Sequence, residues 1–257
     1  MMRKGVQFAI IVSMASLAFL SGCSLFGDLE LEAIDPPGDI PAFEFSVAAD
    51  MRGYTGRFEF YGALQAMTGK GPGAFLLSPG DVDPPFAIES LVEAVLGSDF
   101  PWVPVVGNHE AETPADMNYL RGYFPGLSAV LDGYSGGPEK SNASCYSFSA
   151  GNIRIIVLNE YYDGESDIGT DPSSGGAGTI GTFLYTWLQD QLVADSSIYT
   201  IVVGHEPAYP QPDSLTGRLR HDGDSLDAHP AERDAFQELL ESEDVDAYLF
   251  GHTHNYS

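Results

Sequence analysis

Polar residues follow the ends of successive predicted strands in this chain, and that pattern most constrains its fold. Short apolar runs alternate with segments of helical periodicity across most of the sequence. Ligands of open α/β sheets bind beyond the carboxyl ends of the strands, so polar residues placed there should lie close together. Metal-ligand residue types follow the predicted strands at Asp50, Asp81, Asn108, His205 and His252.

The same alternation predicts an α/β domain. A hairpin formed by 144–149 and 153–158 adds antiparallel pairing, because two strand-like runs flank a short turn at Gly151. The remaining predicted elements are strands at 43–49, 74–77, 102–106, 198–203 and 247–250, and helices at 57–68, 86–96, 115–124, 182–193 and 231–240.

The ligand-type residues fall in short motifs that recur in one order along the chain. A single Gly-Asp or Gly-His pair carries little information, but the ordered set ends in two histidines, at i and i+2 after a strand. Neutral imidazoles and hard carboxylate or amide oxygens suit Zn, Mn and Fe ions. A pair of such ions can activate water and polarise a phosphoryl group, so the set indicates phosphate ester hydrolysis. The motifs are Ala49-Asp50-Met51-Arg52, Gly80-Asp81, Gly107-Asn108-His109-Glu110, Gly204-His205 and Gly251-His252-Thr253-His254.

These motifs resemble those of the calcineurin-like metallophosphoesterase family, which includes the purple acid phosphatases. The similarity runs from about Phe43 to the end of the chain. It implies a four-layer α/β/β/α sandwich of two mixed sheets flanked by helices. Family members continue beyond the last motif with further strands, so we expect the domain to be C-terminally incomplete here.

The resemblance also implies a role for each motif residue. Two divalent or trivalent metal ions (Fe, Mn or Zn) would share a bridging hydroxide that attacks phosphorus, while His109 protonates the leaving group. Histidine suits that role because its pKa lies near working pH. Glu110 or Asp83 could hold the other ring nitrogen of His109. The implied ligands are Asp81 for both ions, Asp50 and His254 for the first, and Asn108, His205 and His252 for the second.

The first metal site departs from the family pattern. The family commonly has Asp-x-His in the first motif, and this chain has Arg52 at the histidine position. Purple acid phosphatases instead use a tyrosine three residues after the bridging aspartate, where this chain has Pro84. Arginine stays protonated and cannot ligate, but it can bind phosphate oxygens bidentately. We therefore expect a weaker first metal, with Arg52 facing the substrate.

Two functions are compatible with these residues. The first is hydrolysis of small phosphate esters, with phosphomonoesters favoured over diesters. The alternative is a non-catalytic metal- or phosphate-binding surface lipoprotein with an impaired first metal site. His109 favours the enzyme, because a binding protein needs no general acid. His221 and His229 lie in the acidic loop 209–230, which reads as a solvated loop, a pocket rim or an extra cation site.

The N-terminus resembles the signal peptide of a bacterial lipoprotein. A basic start and an apolar run from Val6 to Leu20 precede Leu20-Ser21-Gly22-Cys23. We expect a signal peptide at 1–22, lipid attached to Cys23, an acidic Pro/Gly tether at 23–41 and the metallophosphoesterase domain at 42–257. The expected location is the cell envelope, at the outer membrane or cell surface.

The charge of the chain limits its partners. The formal net charge of −26 argues against nucleic acid, because phosphate backbones require cationic surfaces. The expected partners are a small phosphate ester and the membrane, reached through the anchor on Cys23. Cys145 has no second cysteine to pair with once Cys23 is lipidated, and its apolar neighbours predict a buried core residue.

Overall fold

The computed structural model describes residues 43–51, 58–169, 177–195 and 197–254. The expected signal peptide, Cys23, the tether and Arg52 lie outside these residues. Within them, eight strands and six α-helices form, and strands and helices alternate except at α3–α4 and at β4–β6. The strands are β1 Ser46–Val47, β2 Leu76–Ser78, β3 Trp102–Pro104, β4 Ser135–Gly136, β5 Tyr146–Ala150, β6 Ile153–Val157, β7 Tyr199–Val203 and β8 Ala247–Leu249. The helices are α1 Phe58–Lys70, α2 Pro85–Leu96, α3 Asn108–Glu112, α4 Pro114–Leu127, α5 Thr182–Val193 and α6 Pro230–Ser242.

The strands form two sheets. The first sheet is parallel, in the order β1-β2-β3. The second is mixed, in the order β4-β5-β6-β7-β8, with antiparallel pairing from β4 to β6 and parallel pairing from β6 to β8. The predicted hairpin is β5–β6, with Tyr146 opposite Val157. The α/β prediction with two sheets is therefore confirmed, but only the second sheet is mixed in the described residues, whereas two mixed sheets were expected.

Two apolar clusters show how the sheets and helices are layered. Alternate residues of a strand point to opposite faces, and β6 shows this directly. Ile155 belongs to the larger cluster, which also contains residues of the first sheet and of helices α1, α2 and α4. Ile156 belongs to the smaller cluster, which contains residues of α5 and α6. The second sheet thus has the first sheet on one face and two helices on the other, which gives the α/β/β/α order.

Several elements differ from the sequence prediction. Most strands are one or more residues shorter than predicted, at their beginnings as well as at their ends. The short helix α3 and the two-residue strand β4 were not predicted. No helix in the described part of the chain is long and apolar enough to cross a bilayer.

Candidate metal centre

The predicted ligand residues follow the carboxyl ends of strands in both sheets, and four of them have left-handed backbone. The φ angles are 58° at Asp50, 53° at Asp81, 69° at His252 and 53° at His254. Non-glycine residues in this region cost about 1–2 kcal/mol each, and they persist where surrounding contacts hold them. One such contact joins the two sheets, where the His252 N–H donates to Asp50 Oδ1 at 2.9 Å.

Glycines in the motifs allow these loops to approach closely. A Cβ added to Gly80, whose φ is +78°, would collide with the ring of His205. A Cβ added to Gly251 would lie 2.7 Å from Asp50 Oδ2. Gly80 and Gly251 are therefore explained by packing against a ligand residue that follows another strand.

The first group of residues is Asp50, Asp81 and His254. Each offers one ligand atom, and the three atoms lie within 4.8 Å of one another. The Nε2 atom of His254 is 3.4 Å from Asp50 Oδ1. Asp81 is buried, whereas the side chain of His254 is 27% exposed, so the group opens toward solvent on the His254 side. These are the three residues that the sequence analysis assigned to the first metal.

The second group converges on the Nε2 atom of His205. Three other acceptor-type atoms approach it, at 3.1 Å for His252 Nδ1, 3.3 Å for Asn108 Oδ1 and 3.4 Å for Asp81 Oδ1. Ligand atoms that lie 2.0–2.2 Å from a Zn-type ion are separated by roughly 3 Å. The three distances to His205 Nε2 lie near this separation, and Asp81 belongs to both groups.

Hydrogen bonds behind the two rings fix which nitrogen faces the group. His205 Nδ1 lies 2.8 Å from the carbonyl of Pro79, and His252 Nε2 lies 3.1 Å from the carbonyl of Asp224. Each carbonyl accepts a hydrogen bond from the N–H group of its ring, so the neutral rings present lone pairs at His205 Nε2 and His252 Nδ1. Two lone pairs at 3.1 Å repel each other, and a cation beside them would remove that repulsion.

The protonation state of both rings, which is neutral, also suits cation binding. Burial lowers the pKa of His205, and burial together with the nearby rings of His205 and His221 lowers the pKa of His252 to about 3. Both imidazoles are therefore neutral at physiological pH, which is the form that binds metals. The donor set thus fits transition-metal ions, and this fit rests on the orientation of the rings.

The expectation that Glu110 could hold the ring of His109 is wrong. The carboxylate of Glu110 is fully buried and accepts the backbone N–H groups of Asp81, Val82 and Gly107 at 3.0, 2.9 and 2.8 Å. Burial and the charge of Asp81 raise the pKa of Glu110, and the N–H donors oppose that shift. Glu110 therefore fixes the loops that carry Asp81 and Asn108, and both of its oxygens are engaged away from His109.

Glu112 is the carboxylate that faces His109. Its Oε2 atom is 3.9 Å from His109 Nδ1, and its Oε1 atom accepts from Asn108 Nδ2 at 3.2 Å. The second contact orients the amide of Asn108 so that Oδ1 points toward His205. On the other side of the ring, His109 Nε2 is 3.7 Å from Asp81 Oδ2. His109 thus lies beside the metal-ligand group with 23% of its side chain exposed.

A further buried carboxylate, Glu160, supports the loop of His205. Its Oε2 atom accepts the backbone N–H groups of His205 and Glu206 at 2.9 and 2.7 Å, and its other oxygen accepts from the Tyr248 hydroxyl. Burial raises the pKa of Glu160 to about 7. The sequence analysis did not single out Glu112 or Glu160. A carboxylate one turn after the Asn-His motif was a usable signal for Glu112, whereas Glu160 has no local signal.

Comparison with known proteins identifies relatives of this chain. The sequence model described as calcineurin-like phosphoesterase matches residues 45–256. Two curated proteins of Mycobacterium tuberculosis match at 30% identity over 167 residues: "Uncharacterized protein MT2654" of strain CDC 1551 / Oshkosh and "Uncharacterized protein Rv2577" of strain H37Rv. Each alignment covers 61% of this chain and 27% of the relative, so the chain spans about a quarter of the length of these proteins.

Proposed function

The chain belongs to the calcineurin-like phosphoesterase family, and we propose that it hydrolyses phosphate esters at a two-metal centre. The family implies a metal-dependent phosphoesterase that acts on phosphate esters. The observation that carries the proposal for this chain is the convergence of Asn108, His205 and His252 beside the group of Asp50, Asp81 and His254.

The proposed ligand assignment follows the two groups. Asp50 and His254 would hold the first ion, and Asn108, His205 and His252 the second. Asp81 would contact both, because its Oδ1 atom lies 3.4 Å from His205 Nε2 and one of its oxygens also belongs to the first group. Two cations held there would activate a water molecule near neutral pH and offset the charge of a phosphoryl group.

His109 is the proposed general acid. Its Nε2 atom points toward Asp81, and its Nδ1 atom points toward Glu112. A proton on Nε2 would therefore face the place where a phosphate ester meets the ligand group, and the partial exposure of the ring leaves room for a leaving group. Removal of the proton donor should cost about 10²- to 10⁴-fold in rate for a poor leaving group.

Arg52 is proposed to bind a phosphate oxygen of the substrate. This proposal rests on the sequence alone, because Arg52 lies outside the described residues. Asp50, two residues earlier in the sequence, belongs to the first ligand group. We retain the expectation that the first metal binds more weakly than the second.

The proposed setting of the reaction is the cell envelope, with the chain anchored through lipid on Cys23. This rests on the N-terminal sequence pattern, and the described residues do not include that segment. A soluble phosphate ester is the proposed substrate, with monoesters favoured, and Fe, Mn or Zn are the candidate ions.

Hydrolysis assays on metal-free and reloaded protein test the proposal. p-Nitrophenyl phosphate and its bis-ester would be supplied with Mn, Zn or Fe, and His252→Ala would serve as a ligand variant. We expect turnover that needs added metal, is greater for the monoester and is lost in the variant. Metal binding without turnover of either ester would instead support the non-catalytic lipoprotein.

A further inference from the structure

The turn formed by residues 221–228, in the loop between β7 and α6, contacts His252 on two sides. The carbonyl of Asp224 lies 3.1 Å from His252 Nε2, and the ring centroid of His221 lies 3.9 Å from that of His252. His221 itself has left-handed backbone, with φ of 58°. From the sequence, the loop could be a solvated loop, the rim of a pocket or an extra cation site. The structure places it against a proposed metal ligand.

Asp227 holds this turn in shape. Its two carboxylate oxygens accept different backbone N–H groups, from Gly223 at 2.7 Å and from Ser225 at 3.1 Å. These two residues flank Asp224, so the carboxylate fixes the peptide segment that presents the Asp224 carbonyl to His252. The hydroxyl of Ser225 donates to the carbonyl of His221 at 3.0 Å, and the side chain of Ser225 is buried.

The turn is also attached to the hydrophobic core, through a buried leucine. Leu226 is buried in the cluster that packs α5 and α6 against the second sheet. Leu226 also begins the short 3₁₀ helix Leu226–Ala228, which leads directly into α6. Asp227 therefore connects a rigid element to the peptide group behind His252.

We propose that Asp227 is a positioning residue for the second metal site. It fixes the Asp224 carbonyl, which accepts a hydrogen bond from His252 Nε2–H and so leaves the Nδ1 lone pair facing His205. The inference rests on the proposed function only in treating His252 as a ligand. Partners that orient a metal-binding histidine from behind typically contribute 10- to 100-fold in metal affinity.

The proposal couples the loop to the metal. If the turn stabilises the metal-binding tautomer of His252, a bound ion must stabilise the turn by the same factor, because linkage is reciprocal. Metal binding should therefore slow hydrogen exchange at the amides of Gly223 and Ser225. An ion bound at the second site would then stabilise the turn formed by residues 221–228.

The test compares Asp227→Ala with Asp222→Ala. Asp222 lies in the same turn and carries the same charge, but it is exposed and its side chain makes no hydrogen bond or ion pair among the described residues. Metal-free and titrated proteins would be followed by ring ¹⁵N NMR of the histidines and by calorimetric Zn titration. We expect Asp227→Ala to weaken the tighter Zn equivalent 10-fold or more and to give His252 a mixture of tautomers. Asp222→Ala should stay within about twofold of wild type.

A second variant guards against simple loss of folding. Asp227→Asn keeps one acceptor oxygen, so it should fold and give an intermediate Zn affinity; circular dichroism would confirm the fold of each variant. Wild-type Zn affinity and an unchanged His252 tautomer in Asp227→Ala would overturn the positioning role. Failure of the wild type to bind metal would instead refute the proposed function, while the NMR of metal-free protein would still report whether Asp227 fixes the tautomer.

Discussion

Replacement of Glu110 should destabilise this protein far more than replacement of Glu112, two residues later on the same helix. The Glu110 carboxylate accepts three backbone N–H groups at 2.8 to 3.0 Å and is fully buried. Glu112 is partly exposed and makes one hydrogen bond of 3.2 Å, to Asn108. The pair therefore offers a matched comparison between a buried support and a peripheral contact.

The expected magnitude follows from the hydrogen bonds. Each bond to a charged acceptor contributes about 1.5–3 kcal/mol, and the cost of burying the carboxylate offsets part of the total. Glu110→Ala leaves three buried N–H groups without an acceptor, so we expect a loss of about 3–5 kcal/mol in the free energy of unfolding. Glu110→Gln keeps one acceptor oxygen, and we expect about 1–3 kcal/mol. For Glu112→Ala we expect under about 1 kcal/mol.

Urea unfolding of the metal-free proteins, followed by circular dichroism, measures these differences by linear extrapolation. Metal-free protein is used so that changes in metal affinity do not enter the free energy of unfolding. If Glu110→Ala and Glu112→Ala lost the same stability to within about 1 kcal/mol, the claim that Glu110 clamps the loops of Asp81 and Asn108 would be refuted.

Three further predictions concern the metal centre. His109→Ala should retain both metals but lose about 10²- to 10⁴-fold in kcat on an alkyl phosphate, and less on p-nitrophenyl phosphate; equal losses on both esters would argue against its role as the acid. Gly251→Ala places a methyl group 2.7 Å from Asp50 Oδ2, so metal titration should show the first site weakened at least tenfold, and an unchanged first site would count against that geometry. Chelation should lower the melting temperature seen by calorimetry, because metal at 100 times its Kd stabilises by about 2.7 kcal/mol, and a melting temperature indifferent to metal would disprove the linkage.

The sequence predicted the order of the elements because period-2 and period-3.6 patterns are local. Helix α5 was predicted with its observed bounds, Thr182–Val193, and β8 to within one residue. The first strand was predicted as 43–49, but only Ser46–Val47 pairs in the sheet. Strand ends depend on where the neighbouring strand stops, and that is a tertiary property that an apolar run does not record.

The clustering of the motif residues within each sheet was also predictable, because the carboxyl ends of parallel strands lie at the same edge of a sheet. The prediction that Glu110 could hold the ring of His109 was wrong because helix α3 was not recognised, and the alternative partner, Asp83, stays a prediction. On a helix, residues three apart share a face, so Glu112 lies beside His109 while Glu110 points elsewhere. A helix of five residues is too short to show periodicity in the sequence. The carboxylate next to His109 in the sequence was therefore predicted as its partner.

The residues that support the site could not be predicted from the sequence, for another reason. Glu160 holds the backbone of His205 across 45 positions of sequence, and the Asp224 carbonyl reaches His252 across 28. Neither contact leaves a local pattern. Glu160 is one of many acidic residues in a chain with 37 of them, so composition does not mark it either.

Stepwise metal titration of the metal-free protein, with the rate of p-nitrophenyl phosphate hydrolysis measured at each step, tests the central claim most directly. A two-metal phosphoesterase with a weaker first site should bind one equivalent tightly with little turnover. The rate should then rise as the next equivalent fills the weaker first site, and it should level off at two equivalents per chain. Saturation with two equivalents of Mn, Zn and Fe in turn, with no hydrolysis in any case, would contradict it.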